Sequence, residues 1–323
     1  MRVTNSMLSK SFLRDLNRNQ SNLKKINNQL SSRKEISRPS DNPYKAARSM
    51  QLSSDIKAAI QYNENIKDTT NWLDTTDTAL QQLENSFQRI RELMVSSGDA
   101  AYGVDEKKAI KDEINEKVNE IAQILNTNFD GKYIFGGTKV NSKPVAVQAD
   151  GTTGNNKLYY SSSDGTIIAD PSTSNEMEML ASGLIVEISQ GVTMKYNVSS
   201  TEILEFGEGA NKVNVMNLLT DITNSLDSED SSEVTGNLLS QMDSTISNLL
   251  KIMSEVGAKQ NRMESAATQN EDQILNLKDV LSKTEDIDFA EKTIEATVAQ
   301  TVYMASLQVS ARIIQPTLLD FLR

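Results

Sequence analysis

The chain contains neither cysteine nor histidine in its 323 residues. Thiol nucleophiles, disulfides, zinc sites of the usual Cys/His kind and imidazole acid-base catalysis are therefore excluded. Asp, Glu, Lys, Ser and Tyr remain, but no motif assembles them into a catalytic group, so neither an enzyme nor a cofactor or metal site is expected. Aromatic residues make up only 5%. Such a composition favours thin helical bundles, with seams of Leu, Ile, Val, Met and Ala, over one large core. The longest apolar runs fall short of the 18 or so residues of a spanning helix, so no membrane insertion is expected. MRVTNSMLSKSFLRDL at the start lacks the apolar stretch and small-residue cleavage site of a secretory signal. Taken alone this predicts a cytoplasmic protein, or one exported by a route that removes nothing.

Charge is present in quantity but unevenly placed: residues 1–48 carry a net +8 and the remainder −19, for −11 overall. A basic arm is one signature of nucleic-acid binding. Here the charges alternate with Phe12, Leu16, Leu23, Ile26 and Leu30 at spacings of three and four, as on the outer face of a packed helix, and no nucleic acid is expected.

The most regular stretch runs from about Val234 to Leu281. Leu239, Ile246, Met253, Ala267, Ile274 and Leu281 stand in one sevenfold series, and Met242, Leu249, Val256, Met263 and Leu277 in a second. Only Gln260 and Asn270 interrupt the seam. Polar residues there trade stability for register, so Asn270→Leu is expected to raise the melting temperature. A partner of equal length lies near the other end, where Leu52, Ala59, Ile66, Leu73, Leu80, Phe87 and Met94 are also spaced by sevens. Asn42 is placed as its cap, Pro43 as its first residue and Gly98 as its end, giving a helix of about 80 Å. A shorter pattern on Ile110, Ile114, Val118, Ile121 and Leu125 adds a third helix over about 104–128 to those of 44–97 and 232–282.

Outside the bundle the pattern changes. Residues 1–30 form an amphipathic arm with Phe12, Leu16, Leu23, Ile26 and Leu30 along its seam and Asn19 as a polar register position. Two prolines and several capping residues in Ser31–Pro43 break the helix there, marking Arg38, Pro39, Ser40, Asp41, Asn42 and Pro43 as a joint. Ser282–Ala290, with Asp286 and Asp288, is its counterpart. Beyond it, Ile287, Ile294, Val298, Val302, Val309 and Ile313 run to the apolar end Leu318, Leu319, Asp320, Phe321. Ten of the 14 glycines fall between Gly131 and Gly209, among short β-branched runs, which predicts a β-rich insertion. Residues 211–226 form a short helix, and the acidic run Asp227–Glu233 does not fit a calcium loop and reads as helix capping. Gly207-x-Gly209 lacks the setting of a nucleotide-binding loop.

The expected fold is thus mainly α with a small β-rich insertion: an elongated rod of long antiparallel heptad helices, with both termini as helical arms. Its parts are the arms, 1–41 plus 284–323; the long-helix bundle, 42–137 plus 206–283; and the insertion, 138–205. Because one arm enters at Pro43 and the other leaves near Ser282, the arms run antiparallel, with Ile36 beside Ile287. Arg33, Lys34 and Arg38 then face Glu285, Asp286, Asp288, Glu291 and Glu295, an attraction expected to help set register.

Several motifs carry a family resemblance: MRVTNSM, QLSSRKEISRPSDNPYKAARSMQL, NTNFDGKYIFGGTKV, EVGAKQNRME and SLQVSARIIQPTLLDFL. In this order they resemble the bacterial hook-associated protein 3 family, the hook-filament junction proteins, and more distantly flagellin. The resemblance covers both helical ends and fades across the insertion. It implies a structural adaptor exported unfolded through the flagellar type III apparatus and seated extracellularly, in a ring of its own copies, between hook-associated protein 1 and flagellin. It also implies a cytoplasmic export chaperone on the C-terminal segment. The alternatives are a minor flagellin-type filament subunit and, in another class, a cytoplasmic coiled-coil scaffold, which has no use for two joints.

Overall fold

The computed structural model describes residues 5–98, 103–151, 153–168, 175–207, 209, 212–227 and 234–313. The chain divides into two compact units, one of residues 1–60 and 272–323, the other of residues 61–271. Both divisions fall inside long helices, α2 (Pro43–Ser97) and α7 (Leu239–Glu285), and not at the expected joints. The fold is mainly helical, with small antiparallel strand pairs between the long helices.

The long helices form where the sevenfold pattern places them. All seven residues of the α2 series, from Leu52 to Met94, are buried. Asn42 caps the helix as expected, its Oδ1 accepting from the Lys45 N–H at 3.1 Å. That bond satisfies one of the first-turn donors that a helix leaves unpaired. Pro43 follows as the first helical residue, where its missing N–H costs nothing. The third helix, α3 (Val104–Leu125), buries Ile110, Ile114, Val118, Ile121 and Leu125. A short helix α5 (Ser200–Leu204) precedes the last strand pair, and α6 (Val215–Asp227) follows it, capped by Asn214 Oδ1, which accepts from Asn217 N–H at 3.1 Å. A π-helical turn, Val234–Leu238, leads into α7.

Between α3 and α6 lie four two-stranded ladders: β1 (Asn128–Phe129) with β2 (Lys132–Tyr133), β3 (Val145–Ala149) with β4 (Asn156–Tyr160), β5 (Ile185–Ser189) with β6 (Val192–Lys195), and β7 (Glu205–Phe206) with β8 (Val213–Asn214). Two strands cannot bury a face by themselves. They lean on the helices instead, and Val145, Leu158, Tyr160, Ile188 and Met194 share one buried cluster with Leu80, Phe87, Ile121, Leu219 and Val256. The expectation of an inserted domain over 138–205 changes accordingly: the strands have no core of their own, because each hairpin is too small to exclude water without a helix beneath it. Asparagines tie the two layers together. Asn126 Nδ2 donates to the Val145 carbonyl at 3.0 Å, and Asn115 Oδ1 accepts from Asn156 N–H at 3.0 Å.

The stretch after β2 is a packing device. Gly137 has φ +61, and a Cβ there would lie 2.3 Å from the Leu180 carbonyl oxygen, so only glycine lets this backbone lie against α4 (Asn175–Ala181). The next two residues fasten it. Thr138 donates from N–H and Oγ1 to the Met179 carbonyl, and buried Lys139 donates to the Ser161 carbonyl and pairs with Glu176 at 3.1 Å. The Lys139 ammonium, with help from Ser162 and the Ser163 N–H, holds the Glu176 carboxyl down at about 2.

Candidate assembly surface on the paired terminal helices

In the first unit α1 (Asn5–Ser32) packs against α8 (Phe289–Ile313), and Asn19 Nδ2 donates to Ser306 Oγ at 3.4 Å. Lys34 and Asp286 form an antiparallel β-bridge. From the second pairing to the first, the N-terminal arm runs back from residue 34 to 19 while the C-terminal arm runs forward from 286 to 306, so the two are antiparallel. On α1 the face that packs is the expected one, since Phe12, Leu16, Asn19, Leu23, Ile26 and Leu30 are all half-buried. Their spacing of three and four keeps them on one side of the helix.

On α8 the large apolar series is not the face turned toward α1. Ile294, Val298, Val302 and Val309 are 66, 57, 46 and 49% exposed. The half-buried residues are Lys292, Glu295, Ala296, Ala299, Tyr303 and Ser306. Small Ala296 and Ala299 permit close approach to α1, while the β-branched stripe faces solvent. Ile287, at the base, is half-buried. Ile313 ends the described helix but its side chain lies outside the described residues, as do Leu318, Leu319 and Phe321.

The two joints meet. Arg33 takes a left-handed backbone, φ +59, and its carbonyl accepts from Ile287 N–H at 3.2 Å, while Glu35 N–H donates to the Glu285 carbonyl at 2.6 Å. Buried Gln29, which no pattern singled out, clamps the turn by donating from Nε2 to the Glu35 carbonyl at 2.7 Å. Arg38-Pro39-Ser40-Asp41 is then a tight turn closed by Asp41 N–H donating to the Arg38 carbonyl at 3.0 Å. Proline at the second position pre-sets its φ. Asp41 Oδ2 also accepts from Arg38 N–H at 3.1 Å. On the other side the joint is shorter than expected: α7 continues to Glu285, and Asp288 Oδ1 caps α8 by accepting from Ala290 and Glu291 N–H at 2.9 and 3.2 Å.

Of the expected charge pairs, Lys34–Glu285 forms at 2.5 Å. Glu35 pairs instead with Lys45 at 2.6 Å, Ser49 Oγ donates to Glu285 at 3.1 Å, and Lys292 pairs with Glu295 on its own helix at 2.7 Å. Arg33, Arg38, Asp288 and Glu291 stay exposed.

The polar seam residues lie in the second unit. Gln260 Nε2 donates to Asp74 Oδ1 on α2 at 2.9 Å, a contact between the two long helices. Asn270, 3% exposed, donates from Nδ2 to the Ile188 carbonyl of β5 at 2.9 Å. Its partner is a hairpin backbone, and not the facing helix that the heptad pattern implied.

Comparison with known proteins agrees with this architecture. Residues 3–140 match the bacterial flagellin N-terminal helical region and residues 239–322 the C-terminal helical region. The chain belongs to the flagellin-like superfamily. It is 30% identical over 141 residues to a flagellin of Clostridium tyrobutyricum, covering 43% of this chain and 37% of that one. It is 33% identical over 153 residues to the phase 1 flagellin of Salmonella naestved, covering 47% and 30%. The chain thus aligns with roughly a third of the length of the curated relatives it matches. Among solved structures it shares its fold with a putative flagellar hook-associated protein from Vibrio parahaemolyticus (TM-score 0.60, 20% identity, 76% of this chain and 100% of that one). Flagellar hook-associated protein 3 from Legionella pneumophila superposes with TM-score 0.57 at 14% identity, over 74% and 98%.

Proposed function

We propose that the chain is a structural, non-catalytic subunit of the bacterial flagellum that joins hook to filament, seated between hook-associated protein 1 and flagellin in a ring of its own copies. The observation that carries this reading is the solvent-facing stripe of Ile294, Val298, Val302 and Val309 on a helix whose other face is already occupied. A contiguous apolar stripe of this length on a soluble chain marks an interaction surface. Neighbouring subunits cover it, and the remaining arm residues Phe12, Leu16, Asn19, Leu23, Ile26, Leu30 and Ile287 hold the two helices in register beneath. Ile313, Leu318, Leu319 and Phe321, whose side chains lie outside the described residues, are assigned to assembly by their apolar character. The chain leaves the cell unfolded by the flagellar type III route, and a cytoplasmic chaperone holds its C-terminal segment beforehand. The absence of cysteine suits that passage, since no crosslink can form on the way.

The test is Val298→Asp with Val302→Asp. Both side chains face solvent, so thermal melting of the isolated protein stays within about 0.5 kcal/mol of the parent. Cells carrying the double variant build hooks but shed flagellin into the medium. Normal filaments on those cells overturn the proposal. A second reading, a minor filament subunit, is favoured by the flagellin relatives that match at 30% identity and above. Immunogold labelling separates the two: a single band at the base of the filament supports the junction, and labelling along its length supports the filament.

A further inference from the structure

The paired terminal helices present unlike outer surfaces. On α8 the exposed stripe is apolar, whereas on α1 it is cationic. Lys10, Arg14, Arg18, Lys24 and Lys25 are all exposed and recur at the spacing of one helix face, and Asp15 is the one acid in that helix. Charge on an outward face is ordinary, but this bias of sign is not. Like charges four residues apart, as in Lys10, Arg14 and Arg18, repel and weaken a helix that has no anionic neighbour. Leu13, 47% exposed, stands on the same face. The opposite charge lies elsewhere in the chain: residues 61–271 carry a net −16, and the unit that holds α1 a net +5.

Within the second unit, α2 and α7 leave a trough between them that no residue of α3 or of the hairpins borders. Its floor is Ile66, Met263 and Ala267, and its rim carries the exposed carboxylates Glu64, Asp74, Glu264 and Glu271 against a single cation, Lys67. One exposed carboxylate would select nothing. Four of them along both walls of a trough between two helices select a cationic helix, because a third helix packs its ridge of side chains into such a groove. The lengths agree as well. At 1.5 Å per residue the trough runs about 15 Å from Glu64 to Asp74, and the cationic face about 12 Å from Lys10 to Arg18.

We propose that the cationic face of α1 in one copy docks in the α2–α7 trough of a second copy, pairing Arg14 and Arg18 with the rim carboxylates and resting Leu13 on the floor. The contact rests on the ring of copies proposed above and is separate from the apolar stripe of α8. Because the chain has no cysteine, single cysteines report the contact directly. Full chains carrying Asn17→Cys and, separately, Asn261→Cys are mixed and treated with a short bismaleimide, and peptide mass spectrometry identifies the mixed dimer. That dimer forms about tenfold more at ~20 mM than at ~500 mM salt, since screening shortens from tens of ångströms to a few. Arg14→Glu with Arg18→Glu abolishes it, and Glu264→Lys with Glu271→Lys in the other copy restores it. All four positions are exposed, and unchanged melting verifies the fold of each variant. The proposal is overturned if no mixed dimer forms at low salt, if the dimer survives high salt or the arginine reversal, or if the chain binds phosphatidylglycerol vesicles without forming it. No flagellum is needed for this readout, so its failure strikes this contact alone, while immunogold position decides the junction.

Discussion

The two units of the chain solve the same packing problem to different degrees. In residues 61–271 the sevenfold seams of α2 and α7 close over a cluster that takes in six helices and three of the hairpins, and Leu73, Leu80, Leu83, Phe87 and Met94 are wholly excluded from water. In residues 1–60 and 272–323 the paired α1 and α8 carry seam residues that are only half-buried and an apolar stripe that faces solvent. At ~25 cal/mol per Å2 of apolar surface, a half-covered seam contributes roughly half of what a closed one does. One unit closes its own seam, and the other leaves part of its apolar surface in solvent.

The sharpest way to break that comparison is to remove a side chain from each. Phe87→Ala in the closed core costs about 3–5 kcal/mol in denaturant unfolding, whereas Leu16→Ala on α1 costs about 1 kcal/mol in the isolated chain. Equal losses would show that the arms are packed as tightly as the core. Next in size is Asn270→Leu. The heptad pattern implied stabilisation, but the substitution removes the donor to the Ile188 carbonyl in a buried place and is expected to destabilise by about 1–3 kcal/mol. A rise in melting temperature would reinstate the register reading. Gln260→Leu, half-buried and bonded through its side chain to Asp74 at 2.9 Å, serves as the control and shifts melting less.

Acid provides a smaller and more local probe. Glu176 titrates at about 2 in the folded chain against an ordinary 4.5, so its contribution is fully present above pH 4.5 and fades as pH falls toward 2. Thermal melts across that window should slope downward in the parent and flatten in Glu176→Gln. The weakest expected effect is at the joint. Lys34→Glu lowers stability by no more than about 1 kcal/mol, and Glu285→Lys in that background restores part of it. A double-mutant cycle measures the coupling, and strictly additive losses would leave the Lys34–Glu285 contact without energetic weight.

What was legible in the sequence follows the range of each signal. The α2 seam, the Asn42 cap and the antiparallel arms rest on spacing and local chemistry, and all are found in the structure. The orientation of α8 was not legible, because Ile294, Val298 and Val302 and the opposite Ala296, Ala299 and Tyr303 both make plausible faces, and apolar periodicity favours the larger residues. Asn270 shows a second limit. Periodicity identifies a buried position but not its neighbour, and that neighbour, Ile188, is 82 residues away. Gln29 and Lys139 escaped notice because a buried polar residue is recognised only through its partners, a carbonyl at Glu35 and a carbonyl and carboxylate at Ser161 and Glu176.

The hydrogen bond between Asn19 and Ser306 joins residues 287 positions apart in a chain of 323. Closing a loop of that length early in folding is entropically unfavourable, and contacts so distant in sequence form slowly. Once residues 61–271 have collapsed into one body, the flexible span between the two termini is far shorter. The order of events is therefore built into the topology: the middle folds first, and the ends find each other last and part first. In hydrogen exchange, the amides of α1 and α8 open by local fluctuation while those of α2 around Leu80 and Phe87 await global unfolding.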